Sequence, residues 1–305
     1  MIELGAGHFT ELCADQTVRE RLGAVETERG AAARKFWIRG TVGLVLAVAA
    51  LLTLINAGWE VVAIIAFVLF LIGTIFAAGK PLMDVSEGLK HPVLEELVRR
   101  CGMEYLPSGF DPPVYGRARG ILFGRLSSQT FTDLLHGADE EGRGYAVYEA
   151  CLQRSSGKNT HTVFSGQVYA IHRRPRSAGG GITAIVPDRK IFNFFKPASD
   201  MARVKIEGDE AFERRFEVYS TAPMEAKQLL FSSELRRHLL ELRKTGAVSV
   251  FVSPEEAMVG VNSSKNRFEP GSMLRNRAPE ERVRLIFDDV AASLGTLRAL
   301  RAELG

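Results

Sequence analysis

Cysteine is scarce in this chain: three in 305 residues, at Cys13, Cys101 and Cys151, with no CxxC pair among them. An odd, scattered set argues against a disulfide framework or a thiolate metal site and reads as reduced cytosolic thiols. Motifs that carry chemistry are missing too. There is no P-loop, HExxH, GxSxG or EF-hand loop. The GAGHFT segment at Gly5 imitates the opening of a dinucleotide-binding turn, but no strand precedes it, so that reading fails. Net charge is small, 39 Lys and Arg against 36 Asp and Glu, or +3, which speaks against nucleic acid as a partner. The six histidines are dispersed. His161 and His172 share a predicted strand at an odd separation, which puts them on opposite faces. No cofactor and no metal site is expected. The most informative absence is of charge: Asn56-Ala57-Gly58 carries none, and it separates two runs that carry almost none.

Those runs are Thr41 to Ile55 and Trp59 to Ala78, each close to the ~20 residues a helix needs to cross a bilayer core. Phe36, Trp37 and Ile38 extend the first, and Arg39 can snorkel to the interface near its end. Glu60 is the one ionisable residue of the second, beside Trp59, a ring suited to the headgroup level. The first run begins too far from Met1 for a signal peptide, and a second span follows at once. A three-residue connection makes the pair an antiparallel helical hairpin. Gly43, Ala47 and Ala50 on one span, and Ala66 and Gly73 on the other, allow close approach. No GxxxG is well placed, so the oligomeric state is not readable. Arg34, Lys35 and Arg39 precede the spans and Lys80 and Lys90 follow. The positive-inside rule therefore predicts a bend outside the cell and both termini in the cytoplasm, with two passes through the cytoplasmic membrane.

The expected organisation is a cytosolic N-terminal helix over 1–35, a transmembrane hairpin over 36–79 with spans at about 39–56 and 59–78, a linker and short helix over 80–110, and a cytosolic α+β domain over 111–305. In the first segment Thr10 is the candidate cap, and Leu12, Val18, Leu22 and Val25 form a thin apolar stripe. Pro81 and Pro92 punctuate the exit from the membrane, before a short helix from Val93. In the last segment YAVYEACLQ, THTVFSGQVYAIH, GITAIVP, FERRFEVYS and AVSVFVS are strand-like. Glycine and polar loops join them, which predicts a mainly antiparallel sheet. A helix starting at Pro223, with Ser232 as a restart and Gly246 as its end, and a second from Glu280 to Leu304 complete an α+β fold of a size that buries its own core.

Short motifs recur in a suggestive order: Val163, Phe164 and Gly166 as VF-x-G; Phe212, Glu213, Phe216 and Val218 as FE-x-x-F-x-V; Ala222, Pro223, Glu225 and Ala226 as AP-x-E-A. With the polar helix and two tight spans before them, they resemble an uncharacterised family of bacterial membrane proteins, domain of unknown function 3137. The resemblance implies an integral membrane protein with a cytosolic domain and supplies no catalytic residues.

Candidate site residues are correspondingly few. Glu213 and Glu217 are placed on one strand face, but Arg215 between them makes a solvated charged ladder the better account. The basic clusters carry more weight. Arg173, Arg174 and Arg176 sit at a predicted hairpin tip beside Gly179-Gly180-Gly181. Arg117, Arg119 and Arg125 form a second group, and Arg236, Arg237, Arg243 and Lys244 a third. Near an inner leaflet each basic residue gains about 1 kcal/mol, so the Arg173–Arg176 tip is the expected contact for anionic lipid headgroups or another membrane protein. The sequence thus favours a non-enzymatic, membrane-anchored binding or scaffold module. The competing class is a membrane-bound enzyme acting on lipid or envelope precursors.

Overall fold

A computed structural model describes residues 4–157, 159–174, 180–188 and 200–305. The chain begins with three helices, α1 (Ala6–Ala14), α2 (Gln16–Asn56) and α3 (Glu60–Arg100). Then follow β1 (Glu104–Leu106), α4 (Tyr115–Leu122), β2 (Ser128–Ala138), β3 (Gly144–Ser156), β4 (Asn159–His172), β5 (Thr183–Pro187), β6 (Ala202–Val204), α5 (Glu210–Glu213), β7 (Phe216–Ser220), α6 (Pro223–Leu229), α7 (Ser233–Thr245), β8 (Ala247–Val252), β9 (Glu256–Asn262) and α8 (Pro279–Leu304). The described residues fall into two compact units. One comprises residues 4–97 and 268–288, the other residues 98–267 and 289–305.

The first unit is built on the two long helices. The helix expected over 1–35 starts at Ala6 and breaks at Asp15, whose side chain accepts from the Thr17 and Val18 amides at 3.0 and 3.4 Å. Asp15, rather than Thr10, is therefore the cap that starts α2. From there α2 runs unbroken into the first apolar run, and only Ala57 and Gly58 separate it from the turn into α3 at Trp59. Two helices are thus long and apolar enough to cross a membrane. Their seam is made of small residues: Gly43 and Ala47 are buried on α2, Ala63 and Ala78 on α3. A Cβ built on Gly43 would lie 2.1 Å from Thr74 Cγ2, so the close approach depends on glycine there. Ala50 and Gly73 instead face outward. Of the 25 exposed large hydrophobic side chains among the described residues, twenty lie between Trp37 and Phe76, a continuous apolar band.

Beyond that band the same helices turn ordinary. Leu12, Val18, Leu22 and Val25 are buried, as are Leu82, Val85, Leu89, Val93, Leu94 and Leu97. Pro81 and Pro92 do not end the helix; both lie inside α3. Each costs about 3 kcal/mol in a helix interior, and the apolar stripe from Leu82 to Leu97 offsets it by burial. The segment 268–288 closes the unit through Phe268, Met273, Val283, Ile286 and Phe287. Arg282 is fully buried and donates to the carbonyls of Pro270, Ser272 and Arg275 at 3.4, 3.1 and 2.6 Å. Lys90 pairs with Glu269 at 2.7 Å.

The second unit is a nine-stranded sheet among the described residues, in the order β1-β2-β3-β4-β9-β8-β5-β7-β6, with every pairing antiparallel. The α+β fold expected from the sequence is the one found. One face carries Tyr148, Phe164, Phe251 and Met258 against Tyr115, Ala118, Leu122 and Phe123 of α4 and its C-cap. The other carries Val248, Val250, Val259 and Val261 beneath α7 and the latter part of α8. Because both faces are covered, residues 145–150 are buried without interruption, which explains the incomplete alternation in the sequence.

The three motifs read from the sequence prove to be fold-holding. A Cβ on Gly166 would meet the Val261 carbonyl oxygen at 2.1 Å on the paired strand. Phe212 and Phe216 are fully buried, their rings 4.9 Å apart. Glu225 accepts from the Gly181 amide at 2.9 Å, and Pro223 opens α6. The expected strand over FERRFEVYS is corrected in its first half. Asp209 accepts from the Phe212 amide at 3.0 Å and nucleates α5, so only Phe216–Ser220 is strand. Glu213 and Glu217 are accordingly not neighbours on one strand face. Glu213 accepts from the Ile206 amide at 2.6 Å, and Glu217 is buried and accepts from the Tyr219 hydroxyl at 2.8 Å.

Candidate functional site

On the helix-covered face of the sheet, β4 places Gln167 and Tyr169 two residues apart, so both side chains point the same way. Ala292, Ser293 and Thr296 of α8 lie above them. Leu242 and Thr245 at the end of α7, with Val261, Ser263 and Arg267 from β9 and the chain after it, complete the walls. The space enclosed is about 230 Å³.

Its floor is an ordered polar network inside an otherwise apolar interface. Gln167 donates through Nε2 to Ser293 Oγ at 2.9 Å, and the Tyr169 hydroxyl donates to Gln167 Oε1 at 3.0 Å. Ser293 Oγ in turn donates to the Asp289 carbonyl at 2.7 Å. Gln167, Tyr169 and Ser293 are all buried. Burial pushes the Tyr169 phenol up to about 12, offset in part by Thr296 and Ser293 at hydrogen-bonding distance and by the Arg267 charge. This phenol stays neutral and keeps a proton to donate throughout the physiological range.

Arg267 supplies the cleft's cation. Its NH1 donates to Asp289 Oδ1 at 3.1 Å, and its backbone amide donates to Glu149 Oε1 at 2.5 Å. Its Nε is buried with no hydrogen-bond partner among the described residues. An unsatisfied buried donor is costly, and this one belongs to a residue that lines the cleft. Asp289 pairs with the guanidinium at 3.1 Å. The other polar residues lining the cleft, Gln167, Tyr169, Thr245, Ser263, Ser293 and Thr296, are neutral donors and acceptors.

Of the trio expected at the hairpin tip, Arg173 and Arg174 are described, at the end of β4. Arg173 is buried, its Nε donating to the Leu304 carbonyl and its NH1 to the Ser253 carbonyl, both at 2.6 Å. It ties the end of α8 to the turn after β8. Arg174 is exposed and paired with Glu141 at 2.6 Å. Arg176 and Gly179 lie outside the described residues. Arg117 pairs with Glu255 at 2.7 Å. The cleft residues Gln167, Tyr169, Arg267 and Ser293 were not singled out from the sequence. They come from β4, the chain after β9 and α8, and no local spacing announces them.

Residues 162–301 match the family described as Protein of unknown function (DUF3137). All ten residues lining the cleft lie inside the DUF3137 segment, and so do the three motifs read from the sequence. No curated protein matches the chain. No solved structure matches it either.

Proposed function

We propose that this chain is a membrane-anchored binding module, whose hairpin sits in a cytoplasmic membrane and whose α+β unit takes a small, neutral, polar molecule in the Gln167–Tyr169–Arg267 cleft. The anchoring half is supported by the apolar band from Trp37 to Phe76, since a patch of that extent on a soluble surface would drive aggregation. The lysines and arginines flanking the spans, and their absence from the bend, support a cytoplasmic location for the rest of the chain. The binding half rests on one observation: a space of about 230 Å³ is lined by Gln167, Tyr169 and Ser293, hydrogen-bonded to one another, and by Arg267, whose buried Nε has no acceptor among the described residues. The volume lies below the ~300–1,000 Å³ typical of drug-sized ligands, which supports a small occupant. Catalysis is less well supported, because Glu149 is turned to the Arg267 amide and no free acid–base pair faces the cleft among the described residues.

Native mass spectrometry of the full chain released from nanodiscs tests the reading. A small-molecule adduct on the parent chain that disappears in Ser293→Leu, which fills the cleft, is the expected result. An adduct that persists in Ser293→Leu, or no adduct under conditions that retain bound lipid, overturns it. A cysteine at Ala57 labelled by an impermeant maleimide only from outside the cell is expected from the orientation; labelling only from the cytoplasmic side refutes it.

A further inference from the structure

A second cleft, of about 350 Å³, lies at the opposite end of α7 from its Ser232 cap. Its lining is almost entirely cationic: Arg214 and Arg215 from the turn between α5 and β7, Arg243 and Lys244 from the last turn of α7, with Ala211 and Leu240. The two basic residues of α7 are favoured there by the helix dipole. That explanation does not extend to Arg214 and Arg215, which belong to another element and add two more charges to the same space.

Acidic compensation is incomplete. Glu210 reaches Arg214 at 3.4 Å and Glu241 reaches Lys244 at 2.7 Å. Both pairs are on the open surface, where such contacts hold little energy and exchange freely. Arg215 has no ion pair among the described residues. Arg243 donates NH1 to the Gly246 carbonyl at 3.3 Å, while its Nε is buried with no partner there. Four cations facing one space, with two weakly held carboxylates between them, repel one another unless an anion enters. Arginine forks match the oxygen geometry of phosphate in particular.

We infer that Arg214, Arg215, Arg243 and Lys244 form a binding site for a phosphate group. Two sources supply that chemistry, a soluble phosphate compound and a phospholipid headgroup, and the site is separate from the Tyr169 cleft.

The test uses the full chain in nanodiscs and two probes. In the first arm, pyrophosphate is titrated against nanodiscs of phosphatidylcholine alone. In the second, hydrogen exchange is compared between phosphatidylcholine nanodiscs and nanodiscs containing phosphatidic acid. Arg215→Gln and Lys244→Gln are the variants, since both residues are exposed and neither holds the fold; Ser293→Leu serves as the control at the other cleft. Pyrophosphate binding that weakens about tenfold in each variant, and is unchanged in Ser293→Leu, supports the site with a soluble ligand. Absence of pyrophosphate binding, with protection gained at residues 211–215 and 240–245 only on phosphatidic acid and lost in the variants, supports it with a headgroup. No response in either arm, or a response that both variants retain, overturns it.

Discussion

Replacing Gly166 by alanine is a small change with a large expected effect. The added methyl would sit 2.1 Å from the Val261 carbonyl oxygen and 3.0 Å from the Ser263 amide nitrogen. Ordinary van der Waals contact for a Cβ begins near 3.4 Å, so the carbonyl must retreat by more than 1 Å. It belongs to β9, which pairs with β4 from Gly166↔Asn262 to His172↔Glu256, and it cannot rotate away as a side chain would. Overpacking of this kind costs about 1–3 kcal/mol, and a buried backbone hydrogen bond left unmade adds about 1–3 kcal/mol. The sum is roughly 2–6 kcal/mol, a large part of the ~5–15 kcal/mol that holds a typical domain. For a unit of this size the melting temperature should fall by about 10 °C or more. The assay is thermal unfolding of the full chain in detergent, with hydrogen exchange localising the loss to β4 and β9. Gly120→Ala serves as the counterpart: Gly120 lies inside α4, exposed, with nothing within 4 Å of its Cβ position, and alanine there should stabilise by about 0.5–1 kcal/mol. If Gly166→Ala melts within about 2 °C of the parent, the close approach of the two strands is not what this glycine provides.

Gly43→Leu should push α2 and α3 apart against Thr74 and destabilise the hairpin by about 1–3 kcal/mol; detergent melting should show it, and Thr74→Gly should recover part of the loss. Stability of the sheet unit should fall as pH rises from about 10 to about 12, because the unfolded Tyr169 releases its proton near the ordinary phenol value while the folded one holds it up to about 12. The effect is on the order of 2–3 kcal/mol, and Tyr169→Phe should flatten that part of the pH–stability curve. Arg282→Met should cost about 3 kcal/mol by stranding the carbonyls of Pro270, Ser272 and Arg275, read as lost exchange protection over residues 270–275; unchanged protection would show that the guanidinium does not hold that loop.

The two long apolar helices were legible because runs as long and as poor in charge as Trp59 to Ala78 have few other folds. The antiparallel sheet was legible from its loops and β-branched runs, and the Ser232 restart and Gly246 stop fall where the residues suggested. Failures have local causes. Pro81 and Pro92 looked like breaks because propensity is local, whereas the stripe from Leu82 to Leu97 that carries α3 past them acts through packing. β9 and β2 were missed because Gly260 and the polar residues of Ser128–Thr132 weaken a strand pattern that pairing restores, with β4 and β8 on either side of β9 and with β3 along Ser128–Thr132. Phe212 looked like a strand residue because the capping by Asp209 is set by a single side chain. The cleft was not legible at all: Gln167 and Tyr169 stand about 100 positions or more from Arg267 and Ser293, and they meet only when α8 lies on the sheet. Arg173 shows a related limit, since a run of like charges says nothing about which member will be drawn inward to bind carbonyls.

The turn at Ala57, Gly58 and Trp59 limits what can grip this end of the hairpin. Three residues between α2 and α3 leave no loop for a partner to hold. Whatever engages the hairpin there has to do so sideways, along the apolar flanks of the two helices.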